Sequence, residues 1–175
     1  QRWHWGSLMR NEYPKLNGII AVSEGVREDL LTTTGMPAER ITAIKNPVTT
    51  ADMIREAKAA VDHPWMRDDF DEPVVISVGR LTKNKDHQTL LKAFRLINDE
   101  VPSRLLILGE GPERPTLERA IAETGLLDRV QLPGFVDRPW AWMAKSSLFV
   151  LSSFAEGSGN VLTEAMAVGI PVVST

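Results

Sequence analysis

SSFAEGSGNVLTEAMAVGIPVV, residues 152–173, is a polar, glycine-bearing loop that opens into a helical pattern between two apolar runs, LFVL (148–151) and PVV (171–173). Strand, loop, helix and strand in that order form one unit of an alternating α/β chain. Gly157 and Gly159 let the backbone turn with positive φ and let a ligand approach closely. Gly159 or Asn160 can cap the helix, whose free N–H groups then face whatever the loop holds. A glycine loop and helix start at the carboxyl end of a strand suit a phosphate. Glu156 in the loop and Glu164, seven intervening residues further on, add carboxylates suited to hydroxyl groups. The stretch is therefore expected to hold a sugar-bearing phosphate.

The same alternation extends backwards from this unit. VVISVG (74–79), LLILG (105–109), VQLPGF (130–135) and LFVL are short, near-continuous apolar runs. Helical patterns over Asp86–Asn98, Glu113–Thr124 and Arg138–Ala144 separate them, and Asn160–Val168 with PVVS (171–174) completes the series. Strands apolar on both faces, with helices between, predict a parallel sheet covered on both sides. Trp140, Trp142 and Met143 in the brief helix read as core.

Residues 1–17 place Trp3, Trp5, Leu8, Met9 and Tyr13 at roughly helical spacing, ended by Pro14 and Asn17-Gly18. Ile19–Val22 and ITAI (41–44) read as strands around the helix EGVREDLLTTT (24–34), which Ser23 caps and Gly35 ends. Between these two halves, TADMIREAKAAV (50–61) reads as a helix, and HPWMRDDFDEP (63–73) is acidic and bracketed by Pro64 and Pro73. The expected organisation is the end of one α/β domain over 1–47, a linker over 48–73 and a second domain over 74–175. The chain starts at Gln1 inside a helical pattern and stops at Thr175 just after a strand, so it is read as a piece of a longer protein.

Composition narrows the chemistry. An apolar fraction of 43% and a charged fraction of 25% describe a globular chain. Without cysteine there are no disulfides and no thiolate metal sites. His4, His63 and His87 lack metal-ligand spacing, and no metal is expected. A net charge of −3 argues against a nucleic-acid surface. The apolar runs of four or five residues are far short of the ~20 that span a bilayer.

Three loops follow strands on one predicted sheet edge, where open α/β sheets bind ligands. GRLTKNKD (79–86) offers Arg80 and Lys85, a forked guanidinium and a point-like ammonium suited to a diphosphate. Each is equally a solvated loop residue when taken alone. GEGPERP (109–115) begins like a dinucleotide fingerprint, but Arg114 stands where its third glycine belongs, which rejects the NAD reading. No Walker A sequence occurs. The third loop carries Glu156 and leads to Glu164; alone, these are a surface residue and an acid favoured by the helix dipole. Convergence of a basic and an acidic pair raises all four.

With these residues in place, the chain resembles the family 4 retaining glycosyltransferases of GT-B fold. The resemblance runs through IIAVSEGVREDL, KNPV, GRLTKNKDHQTLLKAF, LLILGEGPERPTLE, LPGFVDRPWAWM and the Glu-x7-Glu segment EGSGNVLTEAMAVGIPVVST, in order. It implies two Rossmann-like domains, the N-terminal one only partly present and the C-terminal one binding a nucleotide-diphosphate sugar. Gly79, Arg80 and Lys85 match the diphosphate loop, Glu156 the glutamate that contacts the donor sugar, and Glu164 the one that holds the ribose hydroxyls. Backbone N–H groups around Gly157, Ser158, Gly159, Asn160, Val161 and Leu162 would meet the sugar or distal phosphate. Pro133, Gly134 and Phe135 would lie near the base, and Glu110 and Gly111 beside the nucleotide. Arg80, Lys85 and Glu156 are the implied catalytic groups.

The resemblance further implies transfer of a hexose-type sugar with retention, without metal or cofactor, to a glycan, lipid-linked or small-molecule acceptor. The implied location is the cytoplasm or the cytoplasmic face of the membrane, and peripheral membrane contact stays open. The acceptor-side region where the family keeps its active-site histidine has no counterpart here, and His4 has no matching motif. The chain alone is expected to be inactive. The alternatives are a non-catalytic nucleotide-sugar-binding module of the same fold, a hydrolase using Glu156 and Glu164 as its carboxylate pair, and an epimerase or phosphorylase.

Overall fold

A computed structural model describes residues 5–175; Trp3 and His4 of the aromatic N-terminal stretch lie outside the described residues. The chain forms two compact units, one running to Pro47 and including Glu156–Gly159, the other Val48–Ala155 with Asn160–Thr175.

In the first unit, helix α1 (Trp5–Glu12) precedes strand β1 (Ile19–Ala21), helix α2 (Glu24–Thr34) and strand β2 (Ile41–Ala43). The strands pair in parallel, Ile19 opposite Ile41. Ser23 caps α2, its Oγ accepting from Val26 N–H at 3.2 Å, and Gly35 in the left-handed region closes it, its N–H donating to Leu31 O. Ala21, Leu30, Met36 and Ile41 are buried together, with Met9, Tyr13 and Val26 packed on them. The strand–helix–strand pattern read from the sequence is thus present.

The second unit is a five-stranded parallel sheet in the order β5-β4-β3-β6-β7, made of β3 (Val74–Val78), β4 (Arg104–Leu108), β5 (Val130–Gly134), β6 (Leu148–Leu151) and β7 (Val172–Ser174). The chain builds outward from β3 to β5, then returns to lay β6 on the other side of β3. Successive residues of β4 serve opposite faces. Leu105 and Ile107 pack with Leu90, Leu91 and Phe94 of α4 (His87–Glu100) and Leu117 and Ile121 of α5 (Arg114–Glu123). Leu106 and Leu108 pack with Met143 of α6 (Trp140–Lys145), Ala165 of α7 (Asn160–Ala167) and Phe149 of β6. Two buried faces explain why the strands read as continuous apolar runs.

The segment 48–73, expected as a linker, counts with the second unit. Its helix α3 (Ala51–Glu56) is shorter than the predicted 50–61: Thr50 caps it and Met53 is buried, but Lys58, Ala59 and Ala60 are exposed and bring no apolar face to hold further turns. Beyond it, Met66 is buried in the core below β6, with Val61, Trp65 and Phe70 packed there. Two of the acids that suggested an exposed linker are paired, while Asp69 and Asp71 do face solvent. Glu72 accepts from Arg104 at 3.3 Å and Arg129 at 2.6 Å, and Asp68 pairs with Lys145 at 2.8 Å. The Arg104 guanidinium lies over Trp65, 5.2 Å from its ring centre. Among the described residues no helix is long and apolar enough to cross a membrane.

Candidate functional site

The chain order of the strands reverses between β3 and β6, the switch point at which open parallel sheets take ligands at the carboxyl ends of their strands. The loops leaving β3, β4 and β5 meet there and are joined by backbone hydrogen bonds. Gly79 N–H donates to Leu108 O at 2.9 Å, Leu81 N–H to Glu110 O at 2.9 Å, Glu113 N–H to Leu81 O at 3.0 Å, and Gly109 N–H to Gly134 O at 2.7 Å. So close an approach requires glycine. A Cβ on Gly109 would stand 1.9 Å from Gly79 O, and one on Gly111 would stand 2.4 Å from Leu81 O. The sequence showed only a weak G-x-G here; its physical content is the packing of one loop against the next.

These contacts bring together most of the sequence-nominated residues of the second unit. Gly79, Arg80 and Lys85 lie on the first loop, Glu110 and Gly111 on the second, and Pro133, Gly134 and Phe135 on the third. Arg80 is exposed, and so is Phe135. The methylenes of Lys85 run over Gly79, and a short 3-10 turn, Lys83–Lys85, carries that side chain back toward the strand end. Asp86 ends the loop in the left-handed region at φ 45° and caps α4. The loop is also tied to the exit of β6: Ser152 Oγ donates to Lys85 O at 2.8 Å, and Phe154 N–H donates to Asn84 O at 3.0 Å.

Across the switch point, α7 begins at Asn160, with Val161 and Leu162 packed on the core below and Glu164 half-buried one turn in. Glu164 Oε2 accepts from the indole Nε1–H of Trp140 at 3.0 Å. The sequence reading placed Trp140 in the core and missed this bond. The available signal was a tryptophan, which carries one polar donor, three residues before a wholly buried Met143.

Glu156, Gly157, Ser158 and Gly159 belong to the first unit's grouping. Glu156 is exposed. Gly159 has φ 56°, whereas Gly157 is outside the left-handed region, contrary to the expectation for both. Ser23 Oγ donates to Gly157 O at 2.8 Å, and Asn46 Nδ2 to Ser158 Oγ at 3.5 Å.

Two hollows flank the loops. One of about 210 Å³, lined by Thr82, Lys83, His87 and Glu113 among others, includes none of the nominated residues. The other, about 320 Å³, runs along edge strand β5 and includes Pro133 and Arg114. Among the described residues no three His, Asp or Glu side chains converge as a metal site.

Doubly wound parallel sheets take their ligands at the carboxyl ends of their strands, and here the glycine-packed loops, the exposed Arg80 and the held carboxylate of Glu164 stand at that edge. Residues 67–175 match the model of the family described as glycosyl transferases group 1. The chain belongs to that family, and its fold is the GT-B fold of the solved relatives. It is 33% identical over 163 residues to the N-acetylgalactosamine-N,N'-diacetylbacillosaminyl-diphospho-undecaprenol 4-alpha-N-acetylgalactosaminyltransferase of Campylobacter jejuni, covering 93% of this chain and 42% of that protein. It is 35% identical over 135 residues to the lipopolysaccharide core biosynthesis glycosyltransferase LpsE of Rhizobium meliloti, covering 77% of this chain and 37% of the relative. Anabaena HepE, solved in complex with UDP and glucose, shares the fold with a TM-score of 0.77 at 23% identity, over 97% of this chain and 47% of that one. The chain thus spans less than half the length of these relatives.

Proposed function

We propose that this chain supplies the donor-binding part of a retaining glycosyltransferase. The enzyme moves a hexose-type sugar from a nucleoside-diphosphate donor to a glycan, lipid-linked or small-molecule acceptor, without a metal or cofactor. One observation carries the reading: the loop that bears Arg80 and Lys85 and the helix that bears Glu164 flank a single switch point, within the stretch that matches the family. The UDP bound by HepE and the undecaprenol-linked substrate in the name of the Campylobacter enzyme support the donor and acceptor classes. A lipid-linked acceptor would place the work at the cytoplasmic face of a membrane.

In this reading Arg80 and Lys85 hold the diphosphate, with the N-terminus of α7 and the backbone from Gly157 to Leu162 directed at the distal phosphate and sugar. Glu156 contacts the sugar and Glu164 the ribose. Pro133, Gly134 and Phe135 border the base, with Glu110 and Gly111 beside it. As the bond from the sugar's anomeric carbon to the diphosphate oxygen breaks, negative charge grows on the leaving group. The cations and helix N–H groups stabilise it where it develops. The acceptor hydroxyl's oxygen bonds the anomeric carbon on the same face, which retains the configuration, and its proton passes to the departing diphosphate oxygen.

Calorimetric titration of the full-length protein with UDP, GDP and ADP tests the donor site. One nucleotide is expected to bind, and Arg80→Ala and Glu164→Ala each weaken it. A folded protein that binds none of the three overturns the reading, and strict dependence of turnover on a divalent ion overturns the metal-free mechanism. An inverted product by NMR excludes retention.

A further inference from the structure

Trp140 opens α6 and is packed, half-buried, on the core that also supports α7. The entry of the chain into α6 is itself fixed. Arg138 turns it at φ 58°, and its Nη1 donates to Glu56 Oε1 of α3 at 2.6 Å. From this braced position the indole N–H reaches Glu164 Oε2 at 3.0 Å. Among the described residues Trp140 is the hydrogen-bond partner of that carboxylate, and Oε1 is left to other ligands. An indole donates and does not accept, so it can bind the carboxylate in one sense only.

An unanchored glutamate spends free energy to order its rotamers whenever a ligand binds. Here one oxygen is held before the ligand arrives. A vicinal diol presents two hydroxyl donors at the spacing of a carboxylate's two oxygens, and Oε2 keeps a lone pair after accepting from the indole. We propose that Trp140 is a positioning residue for the donor's nucleoside: its N–H fixes the Glu164 carboxylate so that both oxygens accept the ribose 2′- and 3′-hydroxyls. This deepens, and rests on, the assignment of Glu164 to the ribose. Trp140 touches no substrate; it acts through Glu164.

The test uses the full-length protein with UDP, GDP, ADP and their 2′-deoxy counterparts in calorimetry. Trp140→Phe keeps the ring and removes the donor. For the nucleotide that binds, its affinity is expected to fall about tenfold, while the 2′-deoxy form changes little, so the ribo/deoxy ratio shrinks. KM for the donor rises and kcat at saturation holds. In Glu164→Ala the ratio collapses, and adding Trp140→Phe lowers it no further. A wild-type ratio in Trp140→Phe, with the ratio lost in Glu164→Ala, overturns the positioning role and leaves the ribose assignment standing. An unchanged ratio in Glu164→Ala overturns both. A measurement on the unmodified protein guards against a misfolded variant: the Trp140 indole ¹H–¹⁵N resonance is expected to shift with the bound nucleoside diphosphate and not with inorganic pyrophosphate. A resonance that nucleotide saturation does not move overturns the proposal.

Discussion

The loops after β3 and β4 leave neighbouring strands through a glycine, carry arginine, and put it to different uses. After β3, Arg80 is exposed. After β4, Arg114 is consumed internally: Nη1 pairs with Glu110 Oε1 at 3.1 Å, Nε with Glu118 Oε1 at 3.0 Å, and Nη2 donates to Leu132 O at 2.8 Å. One arginine is left exposed at the strand end, and the other joins the second loop to its own helix and to β5. Counting cations in a sequence cannot separate these roles; the presence of carboxylates one helical turn away can.

The largest expected effect falls on the packing that both loops share. Gly109 has φ 141°, and a Cβ there would overlap the Gly79 carbonyl at 1.9 Å. That carbonyl is backbone and cannot swing aside. Gly109→Ala is expected to cost more than ~4 kcal/mol, seen as loss of the cooperative transition in thermal melts. A melting temperature near wild type would mean that the loops do not pack as described. The contrast between the arginines comes next. Arg80→Ala is expected to lower turnover about 10²-fold at unchanged Tm, and Arg114→Ala to lower stability by about 2 kcal/mol with turnover near wild type. The reverse pattern would invert the comparison.

How much of this the sequence disclosed follows the range of each interaction. Strands of β3, β4 and β6 were legible because burial on both faces writes itself into consecutive residues. The loops were legible because glycines and charges punctuate them locally. Trp65, Met66 and Phe70 were not placed, because the exposed Asp68, Asp69 and Asp71 around them suggested solvent, and only Arg104 and Arg129, distant in sequence, pair the half-buried Glu72 beside them. Asp86 read as the first helical residue; it is a left-handed cap whose Oδ1 accepts from Thr89 N–H at 3.4 Å. The Trp140–Glu164 bond joins residues 24 positions apart, beyond any local periodicity.

The loop after β3 also has an inward side, and His87 reports on it. The imidazole is 4% exposed, and its Nδ1 has no hydrogen-bond partner among the described residues. Burial first, then the Lys85 ammonium, pushes its pKa down to about 4 from an ordinary 6.5, against the opposing pull of Asp86. Between those two values the unfolded chain binds more protons than the native one. Stability therefore falls as pH drops from about 6.5 toward about 4, by on the order of 2 kcal/mol at about pH 5. His87→Gln removes this titration, so the gap in stability between wild type and variant is expected to move in the variant's favour on acidification from pH 7 to 5, measured by urea unfolding. A gap that stays flat would show an imidazole titrating as if in water. The loop's inward side would then be as open as its outward one, and the difference between the loops would rest on the arginines alone.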